Sequence, residues 1–418
     1  MWNDQSNDSS DASVATAMHS SVVRRTPFGV RGAYLNAMDR TKASMLAAVF
    51  VSHLAETEFD RQQQQVASVS AQNDLDDSSL AATNIAAITA ADANRIIVGY
   101  DTDRNSPNLF AGVVQAVRQV GSHVVDIGCC SAASLHYAIR HFKGAGGIIV
   151  TSASSRSGEI GFDVFDQQGQ TVSVPWQKYG IRSRLHRRTD HENDSLAGSK
   201  PEQFAQDLRR QLDDQDAAAL EAHIATSEQM SELILPDSTV VAMVSSGRRR
   251  HSGQLQAYSV EADYRKSVRR WWGQGIPSLP LRIFCRNEIV ASRIEWLAAA
   301  CSAVVELHED LAPEEAIAAG GSNQPVTIEI EMDDRFFTVW SRTGRQIQIS
   351  ELMEWLNQRL SRNHRHVTAH AADPFRMIQL LDLAGPGSGA VHDTTVDAVA
   401  IVGLLLNLSE EGRHSLPV

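Results

Sequence analysis

Apolar residues in the first half of the chain come in short runs, Ile96 to Gly99, Val124 to Ile127, Gly147 to Val150 and Phe162 to Phe165, each closed by turn residues. Runs this short predict strands covered on both faces. Between them the apolar positions fall at helical spacing. Leu109, Val113, Val114 and Val117 line one face of a helix over Pro107 to Val120, with Pro107 suited to its first turn, and Ser134 to Phe142 is helical too. Strand and helix in alternation imply a parallel sheet with right-handed crossovers. Upstream, Met45, Leu46, Val49, Phe50 and Leu54 predict a helix that follows a glycine-bounded arginine loop, Val30-Arg31-Gly32. The polar stretch Glu56 to Asn94 reads as a loop insertion with one Ala-rich helical piece near its end.

From Gly169 to Asp213 the chain is polar and charged, an excursion from the core, followed by a helix Asp214 to Leu233, a strand Thr239 to Val244 and a solvated basic run Gly247 to His251. A second α/β unit then begins. It has a helix Tyr258 to Trp272, a strand Leu281 to Cys285, a helix Ile289 to Ala300 and a strand Ala303 to Leu307. Strands Val326 to Ile330 and Phe336 to Trp340 flank the acidic cluster EMDDR, and a turn at Thr343-Gly344 leads to a helix Ser350 to Leu360. His366 to His370, a helix near Pro374 to Leu383, the glycine-rich GPGSG and a helix Val396 to Leu408 close the chain.

Composition narrows the partners. The chain has 418 residues, 43% of them hydrophobic, and a net charge of −12, so it has core enough for two to four domains and lacks the excess of Lys and Arg that nucleic acid or an anionic membrane would require. Small anions remain admissible ligands. No stretch is apolar enough for a membrane span and the first twenty residues are polar, which predicts a cytoplasmic protein without signal peptide. Cys129, Cys130, Cys285 and Cys301 lack metal-ligand spacing and read as reduced, buried thiols. His364, His366 and His370 read as surface histidines, and Trp271-Trp272 as the end of a packed helix.

One stretch gathers the candidate chemistry. In GGIIVTSASSRSGEIGFDVFDQQG, Gly146 to Gly169, a buried strand runs into the small residues Thr151 to Ser155, at the strand end where open α/β sheets place their sites. Taken with FGVRG, IIVGYDTDRNSP and VVDIGCCSAASLHYAIRHFKGAGGIIVTSAS before it, this order resembles the first domain of the α-D-phosphohexomutases, the phosphoglucomutase and phosphomannomutase family. AYSVEADYRKSV, LRIFCRN, AAACSAVVELHED and IEIEMDDRFFTVWSRTGR resemble the second domain and its metal-loop hairpin, and ISELMEWLNQRL and TVDAVAIVGLLLNL the two ends of the third. The resemblance implies repeated three-layer α/β/α domains with mixed, mostly parallel sheets. It places a tail at residues 1–24, a first domain at 25–235 with polar insertions near 56–94 and 170–213, a second at 236–345 and a reduced third at 346–418, with the fourth absent.

Members of that family move a phosphoryl group between two hydroxyls of a sugar phosphate by way of a phosphoserine, beside an arginine and a magnesium ion held on three aspartates. The departures from this pattern are specific. The family's TASHNP loop, laid without gaps, puts Thr151 on the threonine, Ala153 on the nucleophilic serine, Ser154 on the histidine and Asp163 on the lysine that follows the loop. A slip of one residue makes Ser154 the nucleophile instead, so Ser154 and Ser152 are the catalytic candidates of an active protein. In the metal loop, DGDADR in the family, anchoring on Arg335 turns the three aspartates into Ile330, Met332 and Asp334, and one carboxylate does not hold magnesium against water. Glu329, Glu331 and Asp333 form a shifted acidic alternation on one strand face.

The sugar-loop region is replaced by GPGSGAVHD, Gly385 to Asp393. The expectation is therefore a protein of the carbohydrate-metabolism type without mutase activity and with a binding or regulatory role, whose partner is a phosphosugar, another small anion or a protein. No cofactor is expected in that case; the alternative, an active intramolecular phosphotransferase using Ser154, requires Mg2+. Arg31, Thr151 and Ser155 are the expected phosphate contacts, since an arginine facing a hydroxyl-rich loop suits an oxyanion.

Overall fold

The computed structural model describes residues 22–72, 95–153, 158–185, 231–234, 252–272, 280–309, 325–347, 351–356, 365–369, 378–382, 392–396 and 398–410, apart from 27, 170, 173, 175, 180, 270, 271, 273–279, 333, 336, 353 and 354. Residues 1–21 of the expected tail, the strand at Thr239, the basic run at Gly247 and the GPGSG turn lie outside the described residues, while Val23 and Arg24 belong to a strand.

The first sheet has nine strands. They are β1 (Val23–Arg25), β2 (Gly29–Ala33), β3 (Arg95–Tyr100), β4 (His123–Cys129), β5 (Gly146–Thr151), β6 (Glu159–Asp166), β7 (Arg182–Leu185), β8 (Ser231–Ile234) and β9 (Leu255–Ala257), in the order β7-β8-β1-β2-β6-β5-β3-β4-β9. The sheet is mixed. The predicted parallel unit is its β5-β3-β4-β9 half, whereas β5, β6, β2, β1, β8 and β7 pair antiparallel in succession.

Alternation along the central strands assigns each residue to a layer. Ile96, Val98, Val124, Ile148 and Val150 pack in one core under α1 (Arg40–Gln72) and α2 (Ser106–Gln119), while Ile97, Val125, Ile127 and Ile149 pack on the other face under α3 (Ala132–His141). This is the expected α/β/α sandwich. Fully burying a side chain such as Phe50 contributes about 2 kcal/mol.

The second sheet has the order β11-β10-β12-β13-β14, built from β10 (Leu281–Cys285), β11 (Val305–His308), β12 (Val326–Ile330), β13 (Phe337–Trp340) and β14 (Gln346–Ile347). Its first two pairings are parallel and its last two form an antiparallel meander. Helices α4 (Glu261–Arg269), α5 (Glu288–Cys301) and α6 (Ala398–Glu410) pack in the same core as this sheet. Asn287 caps α5, accepting from the amides of Ile289 and Val290 at 3.1 and 3.2 Å. A third, antiparallel sheet joins β15 (Arg365–Ala369), β16 (Ile378–Asp382) and β17 (His392–Val396).

Five expectations are corrected. Arg31 is not in a loop but inside β2, because Gly29 lets that strand lie against β6: a Cβ there would stand 2.0 Å from the Phe162 carbonyl oxygen. The polar stretch from Glu56 continues α1 as far as Gln72, since Gln, Ala, Arg and Glu are good helix formers whether or not they pack. The end of the helix expected over Asp214 to Leu233 is instead β8, held between β1 and β7. The helix expected near Pro374 to Leu383 contains β16, whose short apolar run does not distinguish strand from helix by period. Cys129 is exposed at the end of β4, while the other three cysteines are buried and all four are free.

Candidate functional site

Apart from Arg31, the sequence placed its phosphate-site candidates at the end of β5 and in the loop after it, and one carboxylate ties that loop to the one after β3. Asp101, directly after β3, accepts from the Ser152 amide at 2.8 Å through Oδ2, and from the Ser106 hydroxyl at 2.5 Å and the Asp103 amide at 3.1 Å through Oδ1. Thr151 is buried, and its Oγ1 accepts from the Ala153 amide at 2.9 Å, which curls the loop back on itself. Two of the loop's amides and the Thr151 hydroxyl are thereby engaged within the protein. Ser154 and Ser155 lie outside the described residues.

Arg31 does stand beside Ala153. Its Nη2 donates to the Ala153 carbonyl at 3.1 Å and its Nη1 to the Val30 carbonyl at 3.0 Å, with 1% of the residue exposed. Nη1 also lies 2.7 Å from Asp163 Oδ1, and Asp163 is fully buried. The pair is built by register. Arg31 faces Gly161 and Asp163 faces Gly29 across β2 and β6, so each charged side chain stands opposite a glycine and the two meet on the diagonal.

The second oxygen of Asp163 belongs to another element. Arg335, in the loop between β12 and β13, brings Nη2 to 2.6 Å from Asp163 Oδ2 and lays its guanidinium 4.0 Å from the Phe28 ring centroid and 5.6 Å from that of Phe165. One buried carboxylate thus lies between two arginines from different sheets. Beside it Arg24 forms a two-point pair with Glu159, Nε to Oε1 at 3.0 Å.

The metal-loop candidates do not converge among the described residues. Ile330 is fully buried in the second core, and Glu329 is half-buried opposite Thr338. Glu331 is exposed just past β12. Asp334 is buried and turned toward the first sheet, where its Oδ2 accepts from the Ala133 amide at 3.4 Å in the first turn of α3. In the register anchored on Arg335 the residues therefore do not fit magnesium, since one position is a core isoleucine and another already serves a helix end. Among the described residues no group of three or more His, Cys, Asp or Glu side chains is placed to hold a metal ion, and Asp333 lies outside them.

Arg293 is a third buried arginine near the same strand ends. Its Nη1 donates to Ser131 Oγ at 2.8 Å and Nη2 to Ser134 Oγ at 2.5 Å, it forks onto Glu261 at 2.6 to 3.1 Å, and it stacks 4.3 Å from the Tyr264 ring centroid. Ser131 is the N-cap of α3, so Arg293 pins that helix to α4 and α5. Burial alone would raise the Glu261 carboxyl, but hydrogen bonds and charge from Arg293 and Arg265 outweigh it and hold the group below the usual carboxylate range.

Sequence reasoning named Arg31 and missed the acid that meets it. The available signal was Asp163 itself, a carboxylate in the strand EIGFDVFD, which is buried along its length and so requires a cationic partner.

Comparison with known proteins agrees with the architecture. Residues 66–191 match the family model described as phosphoglucomutase/phosphomannomutase, alpha/beta/alpha domain I. Over 101 residues the chain is 26% identical to a protein of Xanthomonas campestris pv. campestris (strain B100) named phosphohexose mutases. That match covers 24% of this chain and 22% of the relative, about a fifth of the relative's length. The fold is similar to that of a phosphoglucomutase/phosphomannomutase family protein from Burkholderia thailandensis, with TM-score 0.53 and 13% identity over 92% of this chain and 76% of that one.

Proposed function

We propose, from the premise that this chain is phosphohexomutase-like, that it does not carry out the mutase reaction and serves instead as a binding or regulatory protein of carbohydrate metabolism in the cytoplasm. One observation supports this above the others. The arginine that would face a phosphoserine is buried, and it is held by Asp163 and the Ala153 carbonyl. Phosphoryl transfer depends on cationic groups directed at the moving phosphoryl oxygens, and a guanidinium engaged by an internal carboxylate is withdrawn from that work. Alanine at position 153 has no hydroxyl to accept the group, and the metal loop departs in the same direction.

The test is intact-mass spectrometry of the full chain after incubation with a hexose 1,6-bisphosphate and magnesium, alongside a coupled assay for conversion of hexose 1-phosphate to hexose 6-phosphate. The expected outcome is no mass gain and no turnover. A one-phosphoryl gain mapped to Ser154 or Ser152, with turnover, would establish the active phosphotransferase instead.

A further inference from the structure

Arg31 and Arg335 are positioned by contacts other than Asp163. The first is fixed by the carbonyls of Val30 and Ala153, and the second lies against the rings of Phe28 and Phe165. Arg335 donates Nη2 to Asp163 Oδ2 at 2.6 Å, Arg31 Nη1 stands 2.7 Å from Oδ1 as an ion pair while its hydrogen bond goes to the Val30 carbonyl, and the three residues are buried. Two preorganised guanidiniums meeting one buried anion, each through a single nitrogen, is chemistry that also suits phosphate and sulfate. Here the strand supplies the anion.

We propose that Asp163 is a built-in counter-anion: its carboxylate fills an oxyanion cradle formed by Arg31 and Arg335, and a free tetrahedral oxyanion occupies that cradle when the carboxylate is removed. The inference stands on geometry and is independent of whether the chain turns over a sugar phosphate. Taking away the carboxylate leaves two buried guanidiniums facing the same space, which is costly, and an added anion relieves that cost. The glycines opposite both side chains let β2 and β6 approach closely, which fixes where the two charged side chains meet. A Cβ at Gly29 or Gly161 would meet the Phe162 or Val30 carbonyl oxygen at 2.0 or 1.8 Å.

The experiment compares thermal unfolding of the full-length wild type and Asp163→Ala, each titrated with inorganic phosphate and, at matched ionic strength, with sodium chloride. Asp163→Ala is expected to melt below the wild type, and saturating phosphate is expected to raise its midpoint by about 4 °C or more beyond chloride. The wild type is expected to respond equally to both salts, and the phosphate effect is expected to disappear in Asp163→Ala/Arg335→Met. A folded Asp163→Ala with no phosphate-specific shift overturns the proposal. Should Asp163→Ala not fold, Asp163→Ser takes its place. Recovery of native circular dichroism on adding phosphate to either supports the cradle. Failure of both to fold with or without phosphate overturns it, since the carboxylate is then a strand-bound partner that no free anion replaces.

Discussion

Arg31 and Arg293 head the fully buried side chains of this protein, and each is retained because it satisfies groups on separate elements. A buried guanidinium costs more to strand than to pair, so its acid partners become sensitive points. Glu261 is the accessible one. Its folded pKa is depressed, so the stability it contributes is fully present above its unfolded value near about 4.3 and is lost as pH falls through the folded value. Glu261→Gln is expected to cost about 2 kcal/mol at neutral pH, because charge-assisted hydrogen bonds from Arg293 and Arg265 weaken. It is also expected to flatten the acid limb of a stability–pH curve measured by urea denaturation. An acid limb identical to the wild type would show that Arg293 draws its stability from Ser131, Ser134 and the Tyr264 ring without Glu261. A comparable ledger explains why Arg31 was readable and its surroundings were not. An arginine between Val30 and Gly32 is conspicuous in the sequence, but the acid that holds it is 132 positions away and the second arginine 304.

At the scale of elements, the most legible pieces were the short apolar runs. Leu281–Cys285 and Val326–Ile330 are strands at the positions their patterns predict, because their apolar residues take the buried positions while Arg282 and Glu329 fall at the half-buried ones. Less legible were elements whose identity is set by neighbours. Ile378–Asp382 becomes a strand by pairing with β15 and β17 on either side, and Ser231–Ile234 by lying between β1 and β7, information that no local window contains. Helix α6 shows how one element's seat can be tested. Gly403 faces Trp272, whose Nε1 donates to the Val399 carbonyl at 3.1 Å, and a Cβ at 403 would stand 2.3 Å from the indole Cδ1. Alanine improves helix propensity by about 1 kcal/mol, whereas displacing an anchored, buried indole costs about 1 to 3 kcal/mol. Gly403→Ala should therefore be destabilising on balance. The accompanying sign is a red shift of tryptophan emission in the folded state; a more stable variant with unchanged emission would mean that the indole is free to move aside.

At the scale of the molecule, the two large sheets are joined by polar contacts as well as by shared core. Arg335 reaches Asp163, Asp334 meets the first turn of α3, Arg293 grips Ser131 and Ser134, and Ala133 of α3 is buried in the core of the second sheet. Charge pairs across such a junction fix orientation more than they add raw stability, but removing one partner of a buried pair costs about 3 to 5 kcal/mol because the other is left behind. For Arg335 the remaining acid still has Arg31, which lowers that expectation to about 2 kcal/mol. Arg335→Met keeps an apolar chain against Phe28 and Phe165 while deleting the fork, so it separates the electrostatic tie from the packing. The expected result is a thermal unfolding trace that broadens or splits in two, as the sheets lose the contact that makes them melt together, with the larger loss confined to the second sheet in hydrogen exchange. Arg282→Met, which removes an exposed pair with Glu306, should leave a single transition within about 0.5 kcal/mol of the wild type. A single sharp transition in Arg335→Met as well would assign the coupling to the shared apolar core around Ala133 and leave the arginine with a role only inside its cradle.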